Sequence, residues 1–188
     1  MLHRIAAWIL RFPSRYIQLS EDRYACCEYG IEAFLYTFMS TGLLLALGAM
    51  LGMLLPACVI ITVFYVDQTV GGGYHTSTHL RCFLTMAAGL CAGLGLTRIP
   101  LSPAGFWLAG MLCCGILYTI PLTLHPNKAY LKNKKRILKT RSRILSCTEA
   151  ILCTILWLMQ YGPLGPFCAG LFLSAVSRAA AKHFYPPI

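Results

Sequence analysis

Apolar positions in this chain come in long runs broken by short polar stretches. The runs show neither the two-residue alternation of a half-buried strand nor the single apolar stripe of a soluble helix. Ala33–Val66 gives 34 residues without Asp, Glu, Lys or Arg; Ile99–Asn127 gives 29, Ala150–Ser177 gives 28 and Cys82–Thr97 gives 16. A bilayer core about 30 Å thick takes roughly 17–25 helical residues to cross. The 34-residue run therefore exceeds one untilted span and accommodates two short ones, with Gly42, Gly48 and Gly52 allowing a tight connection around Gly48–Pro56. The pattern predicts six membrane segments at about 24–46, 49–66, 82–97, 104–124, 144–161 and 164–181. Four spans plus re-entrant pieces is the alternative. Pro100 and Pro103 flank one connection and Pro163 and Pro166 another, where helices are expected to stop. Pro121, inside the fourth segment, is expected to kink it.

Ahead of these runs, Leu2, Ile5, Ile9 and Phe12 recur at spacings of three and four, with His3, Arg4 and Arg11 off that line and Arg15 just beyond. This predicts a short amphipathic helix over 1–15 lying in the interface plane. It fits a secretory leader poorly, because no small-residue cleavage site follows.

Composition agrees. Of 188 residues, 57% are apolar and 12% charged, against roughly 25% charged in soluble domains. Sixteen basic and six acidic residues give a net charge of +10, but the charge is confined to a few stretches, so a nucleic-acid binder is not indicated. The expected class is an all-α polytopic integral membrane protein, folded as one domain over 1–188. Ten cysteines would suggest a disulfide framework in a small secreted protein. Here Cys58, Cys91, Cys113, Cys114, Cys153 and Cys168 fall in apolar segments, where a thiol acts as a small hydrophobe. The doublets Cys26–Cys27 and Cys113–Cys114 lack redox or zinc spacing.

The densest basic stretch holds Lys128, Lys132, Lys134, Lys135, Arg136, Lys139, Arg141 and Arg143 without an acid. The positive-inside rule puts this 125–143 loop in the cytoplasm, together with Arg4, Arg11, Arg15 and Arg23. Six crossings satisfy both and bring the C-terminus, with Lys182, to the same side. The segment 67–81 then also faces the cytoplasm.

That segment carries the chemistry. From Asp67 to Cys82 it reads DQTVGGGYHTSTHLRC, with three glycines, two histidines and a cysteine at the start of a span. An imidazole within hydrogen-bond reach of a thiol gives a nucleophile for attack on a peptide carbonyl and an acid for the leaving amine. His79, three residues before Cys82, shares its face if both are helical. His75 would be about 10.5 Å away along a straight helix, seven residues at 1.5 Å each. It qualifies only if the chain bends or the helix starts near Thr78. Spacing alone thus favours His79. Gly71, Gly72 and Gly73 suit either an oxyanion hole of successive N–H groups or a hinge. Arg81 fits thiolate stabilisation or substrate-carboxylate binding, and equally a headgroup anchor. Asp67 fits a histidine-orienting acid, or a solvated acid at a span end. A metal or haem site built on His75, His79, Cys82 and His125 is a further reading, though no cofactor is required for the thiol chemistry.

The stretch GGYHTSTHLRCF, Gly72–Phe83, resembles the signature of AgrB-type accessory gene regulator proteins, and His125-Pro126-Asn127-Lys128 is similar to a second family feature. The likeness extends from about 20 to 182. It implies a membrane cysteine endopeptidase of the bacterial cytoplasmic membrane, with Cys82 as nucleophile and His75, rather than His79, as base. His79, Arg81, Asp67, Gly72 and Gly73 become supporting residues. The implied substrate is a short AgrD-like precursor peptide. Its C-terminal tail is removed through a Cys82 thioester, and an internal Cys or Ser of the peptide then captures the acyl group in a thiolactone or lactone ring. The acidic tails of such precursors point to recruitment by Lys128, Lys132, Lys134, Lys135 and Arg136, a stretch that also suits anionic membrane lipids. The resemblance further implies a homodimer, for which Gly48-x-x-x-Gly52 and Gly89-x-x-x-Gly93 offer close-contact faces. The chain departs from the family at Asp67, Gln68 and Thr69, where a basic residue is common, and at Thr76, where alanine is. The competing class is a small peptide transporter or exporter component, which would tolerate loss of Cys82.

Overall fold

The computed structural model describes residues 2–14, 20–74, 76, 78–123, 132–160 and 162–184. Seven helices account for nearly all of them: α1 Leu2–Ser14, α2 Glu21–Met50, α3 Leu54–Gly71, α4 His79–Leu96, α5 Pro103–Thr119, α6 Lys132–Leu158 and α7 Leu164–Phe184. Each of the six expected membrane segments coincides with one of α2–α7. The helices α2 (from Arg23), α3, α4 and α7 are long and apolar enough to cross a bilayer, and α5 is a shorter apolar helix. The protein is an all-α, multi-pass membrane protein.

By contacts the chain forms two compact units, Met1–Ala46 and Leu47–Ile188. In the first, α1 is the helix predicted by its apolar spacing. Ala6 and Leu10 are its buried positions, while Ile5, Trp8 and Ile9 are exposed. An exposed tryptophan–isoleucine face next to Arg4 and Arg11 suits the headgroup boundary.

In the second unit two of the described connections follow from local sequence. Helix α2 ends at a glycine with positive φ, Gly52 at 68°. The Met53 N–H donates to Gly48 O at 2.8 Å and the Gly52 N–H to Ala49 O at 2.9 Å. This is the six-to-one and five-to-two pair of a Schellman motif, which satisfies carbonyls that a helix end otherwise leaves bare. Helix α5 starts where Ser102 Oγ accepts the Gly105 N–H at 3.2 Å and Pro103 occupies the first turn, an N-cap followed by a pre-set φ.

Two expectations are corrected. Pro121 does not kink a helix: α5 stops at Thr119, with Ile120 as its C-cap, because the residue before a proline is driven out of the helical region. The basic stretch, expected as a loop to 143, is helical from Lys132 onward and runs on into the apolar half of α6. No Gly or Pro interrupts 132–158, and Lys, Arg and Leu are good helix formers.

The core lies where α7 packs against α3 and α5, with α6 packed mainly on α5 and also touching α3 and α7. Its contact surfaces are small. Cys113, Cys114, Leu117, Cys153, Phe167, Cys168 and Leu171 are buried together, and the cysteines are free thiols filling space as the sequence suggested. Cys168 Sγ donates to Phe106 O at 3.1 Å, Trp107 Nε1 donates to Thr154 Oγ1 at 3.2 Å, and the Trp107 and Trp157 rings stack with centroids 4.9 Å apart. Of the four glycines offered as dimer faces, two are crowded inside the chain: a Cβ at Gly48 would overlap the Ala57 methyl, and one at Gly93 would press on Leu173 and Ile60, whereas Gly52 has nothing within 4 Å and Gly89 meets only Leu173 at 3.7 Å.

Gly170 sets the α3–α7 spacing, since a Cβ there would fall 2.8 Å from Val63 Cβ. Gly170→Val is therefore expected to force the helices apart at a cost of about 1–3 kcal/mol, read as a lowered thermal midpoint in detergent. Gly115→Ala, inside α5 where nothing lies within 4 Å, should hold or raise the midpoint, since alanine suits a helix interior better than glycine. Equal midpoints for the two variants would overturn this account of the contact.

Candidate active site

The segment between α3 and α4 is held by α7 from one side and by its own residues from the other. Its anchor was not foreseen. Arg178 of α7 is completely buried, as is Asp67 on the last turns of α3, and they form an ion pair through Nη2 and Asp67 Oδ1. The same guanidinium donates to Asp67 O at 3.3 Å, to Leu117 O at 3.3 Å and Ile120 O at 3.4 Å at the end of α5, and to Ser142 Oγ of α6 at 2.8 Å. One side chain thus ties α7 to the C-terminal ends of α3 and α5, whose free carbonyls attract a cation, and to the first half of α6. Glu149, buried on α6, interacts electrostatically with both members of the pair. Asp67 is therefore not a solvated acid at a span end: it is buried, with Oδ1 held by Arg178.

The three glycines follow from this anchor. A Cβ on Gly71 would overlap the Arg178 guanidinium, one on Gly72 would meet Thr123 O, and one on Gly73 would overlap the Gln68 amide. Gly72 also needs a φ of 70°, which an L side chain rarely adopts. The backbone here is a strap in close contact on every side. Gly71 O accepts the Thr123 N–H at 2.9 Å, and the Gly72 N–H donates to Gln68 O at 3.1 Å. Ser177 Oγ, the neighbour of Arg178, accepts from Gln68 Nε2 at 2.8 Å and from the Tyr74 N–H at 3.1 Å. The Tyr74 ring lies 5.3 Å from that of Phe184, centroid to centroid. The Gly72 and Tyr74 N–H groups are therefore engaged in this arrangement.

Helix α4 then begins at His79. Thr78 is its N-cap, with Oγ1 accepting the Arg81 N–H at 3.3 Å, and Thr76 Oγ1 donates to Thr78 O at 3.2 Å. Cys82 sits in the first turn, its N–H donating to Thr78 O at 3.0 Å. The thiol side chain is half-buried, while His79 and Arg81 are exposed. The late helix start is the geometry under which His75 need not be two turns from Cys82. His75, His125 and Lys128 lie outside the described residues, as does the Lys132 side chain. Lys134 and Arg136 are exposed near the start of α6 and Lys135 is half-buried.

Sequence reasoning missed Arg178 and Ser177. The available signal was a lone arginine closing a charge-free run inside an expected span, since an intramembrane charge calls for a named partner.

An all-α, multi-pass membrane protein with a half-buried cysteine at a span start, reached through a glycine strap, defines a narrow class. The family model for accessory gene regulator B (AgrB) matches residues 4–177, and the chain belongs to that family, the membrane proteins of quorum-sensing peptide processing. No curated protein and no solved structure matches it at a significant level.

Proposed function

We propose that the protein is a cysteine endopeptidase and acyl-transfer cyclase acting on a short AgrD-like precursor peptide, with Cys82 as nucleophile and His75 as base. The observation carrying this reading is the placement of Cys82 in the first turn of α4, at the end of a strap pinned to α7 that contains His75 in sequence. His75 takes the Cys82 proton and the thiolate attacks the scissile carbonyl. The C–N bond breaks, and the tail leaves as an amine carrying the proton from His75. The retained peptide is then a thioester on Cys82. An internal peptide thiol or hydroxyl gives its proton to His75 and attacks that thioester, and Cys82 departs and is reprotonated. A thiol acceptor conserves bond type, so water must be kept from the acyl-enzyme, which the apolar helices flanking the strap favour.

The basic first turns of α6, with Lys132, Lys134, Lys135 and Arg136, and Lys128 ahead of them in sequence, are assigned to the acidic tail. The topology that supports this puts both termini and the strap on the cytoplasmic face, and family likeness supports a homodimer.

The test is mass spectrometry of the co-encoded short peptide after incubation with the protein in liposomes. A free tail plus a retained fragment lighter than its linear form by one water is expected. A linear fragment would leave a protease and remove the ring-forming step. Unchanged peptide with folded protein would favour the transport reading.

A further inference from the structure

We propose that Ser177 of α7 is a positioning residue for this acyl transfer, its hydroxyl holding the strap on both sides of the glycine turn that leads toward Cys82. The inference rests on the Cys82–His75 reading and extends it to a helix that contributes no reacting atom. Three observations converge on Ser177. Its Oγ accepts two hydrogen bonds from opposite ends of the strap's turn, Gln68 Nε2 at 2.8 Å before the glycines and the Tyr74 N–H at 3.1 Å after them. Tyr74 immediately precedes His75 in sequence, so the bond at Tyr74 holds the last described backbone group ahead of the assigned base. Ser177 itself has little freedom, because the next residue, Arg178, is locked to α3, α5 and α6.

The Gln68 amide that Ser177 holds is also the surface on which Gly73 rests. One hydroxyl therefore controls the strap twice, through its backbone and through the side chain beneath it. A serine is suited to this as a small side chain whose single oxygen offers two lone pairs. Alanine at 177 would leave the Tyr74 N–H and the Gln68 amide without that acceptor while preserving helix α7. Misplacing a reacting group by about 1 Å can cost on the order of a hundredfold in rate, without weakening binding of a substrate held elsewhere.

The experiment compares wild type, Ser177→Ala and Ser177→Thr, purified in detergent and returned to liposomes. Two readouts are taken: kcat and KM for precursor cleavage, and alkylation of Cys82 across pH, quantified by peptide mass spectrometry with Cys26, exposed at the start of α2, as internal reference. For Ser177→Ala, kcat is expected to fall about ten- to a hundredfold with KM within about twofold, and Cys82 alkylation near neutral pH to slow toward that of Cys26. Ser177→Thr keeps the hydroxyl and is expected to recover both. Wild-type kcat and alkylation in Ser177→Ala, or failure of Ser177→Thr to recover them, would overturn the proposal. A parallel loss of thermal midpoint that accounts for the lost activity would likewise reduce Ser177 to a structural residue. If Cys82 in the wild type alkylates no faster than Cys26, the Cys82–His75 reading itself fails. If it alkylates faster and Ser177→Ala does not change that, only the positioning role fails.

Discussion

Replacing Cys82 with alanine is expected to reduce tail release by at least about a thousandfold, and replacing His75 with alanine to do nearly the same. Residues that act as one unit are strongly non-additive, so the Cys82→Ala/His75→Ala double variant should be no slower than either single variant. His79→Ala should keep its rate within about fivefold, because His79 is exposed at the first position of α4 and is not the assigned base. Tail release by wild type and variants at matched protein levels, followed by mass spectrometry, checks all four. Retained cleavage in Cys82→Ala would remove thiol catalysis from the protein. A large loss in His79→Ala with little in His75→Ala would exchange the two histidines and restore the assignment that spacing alone favours.

Breaking the buried ion pair should have the largest effect on stability. Arg178→Ala leaves Asp67 buried without its partner, beside Glu149, and strips the hydrogen bonds from Leu117 O, Ile120 O and Ser142 Oγ. Removing one member of such a pair costs about 3–5 kcal/mol. Asp67→Ala should cost less, because the guanidinium keeps its carbonyl and hydroxyl partners in α5 and α6. Lysine at 178 should not rescue, since a single ammonium cannot reproduce a planar fork that reaches three helices at once. The double variant Asp67→Leu/Arg178→Leu is expected to be more stable than Arg178→Ala, as apolar replacements of buried pairs often are. Thermal midpoints in one detergent, treated as a double-mutant cycle, measure the coupling. Additive effects would mean that the two residues do not act as a pair.

The contrast between these two predictions shows what a single sequence reveals. Runs without charge give α2 to α7 directly, because a membrane helix is defined by what it lacks over about 20 residues. Thr78 as a helix start is likewise local chemistry. The Asp67–Arg178 pair is not local. Its members are 111 residues apart, and each stands near a span end where an ordinary headgroup or solvent role is available. Nor does the run Gly71–Gly73 disclose its purpose. Hinge, oxyanion hole and packed strap require the same residue, and only the guanidinium, the Thr123 carbonyl and the Gln68 amide that crowd it show which contacts made glycine necessary. The basic stretch at 132–143 misleads for a related reason: its charge is conspicuous, while its continuity with the helix behind it lies in the absence of any breaker.

The same pair has a consequence for how the chain is made. At about 5–20 residues per second, the ribosome needs roughly 5–20 s to add the residues that separate Asp67 from Arg178. Throughout that interval α3 carries an acid whose counter-charge has not yet been translated. A nascent chain released early, anywhere before Arg178, presents an unpartnered carboxylate in a nearly apolar helix. This is a feature by which membrane quality control can tell a truncated product from a finished one, so completion of α7 also licenses the survival of α3.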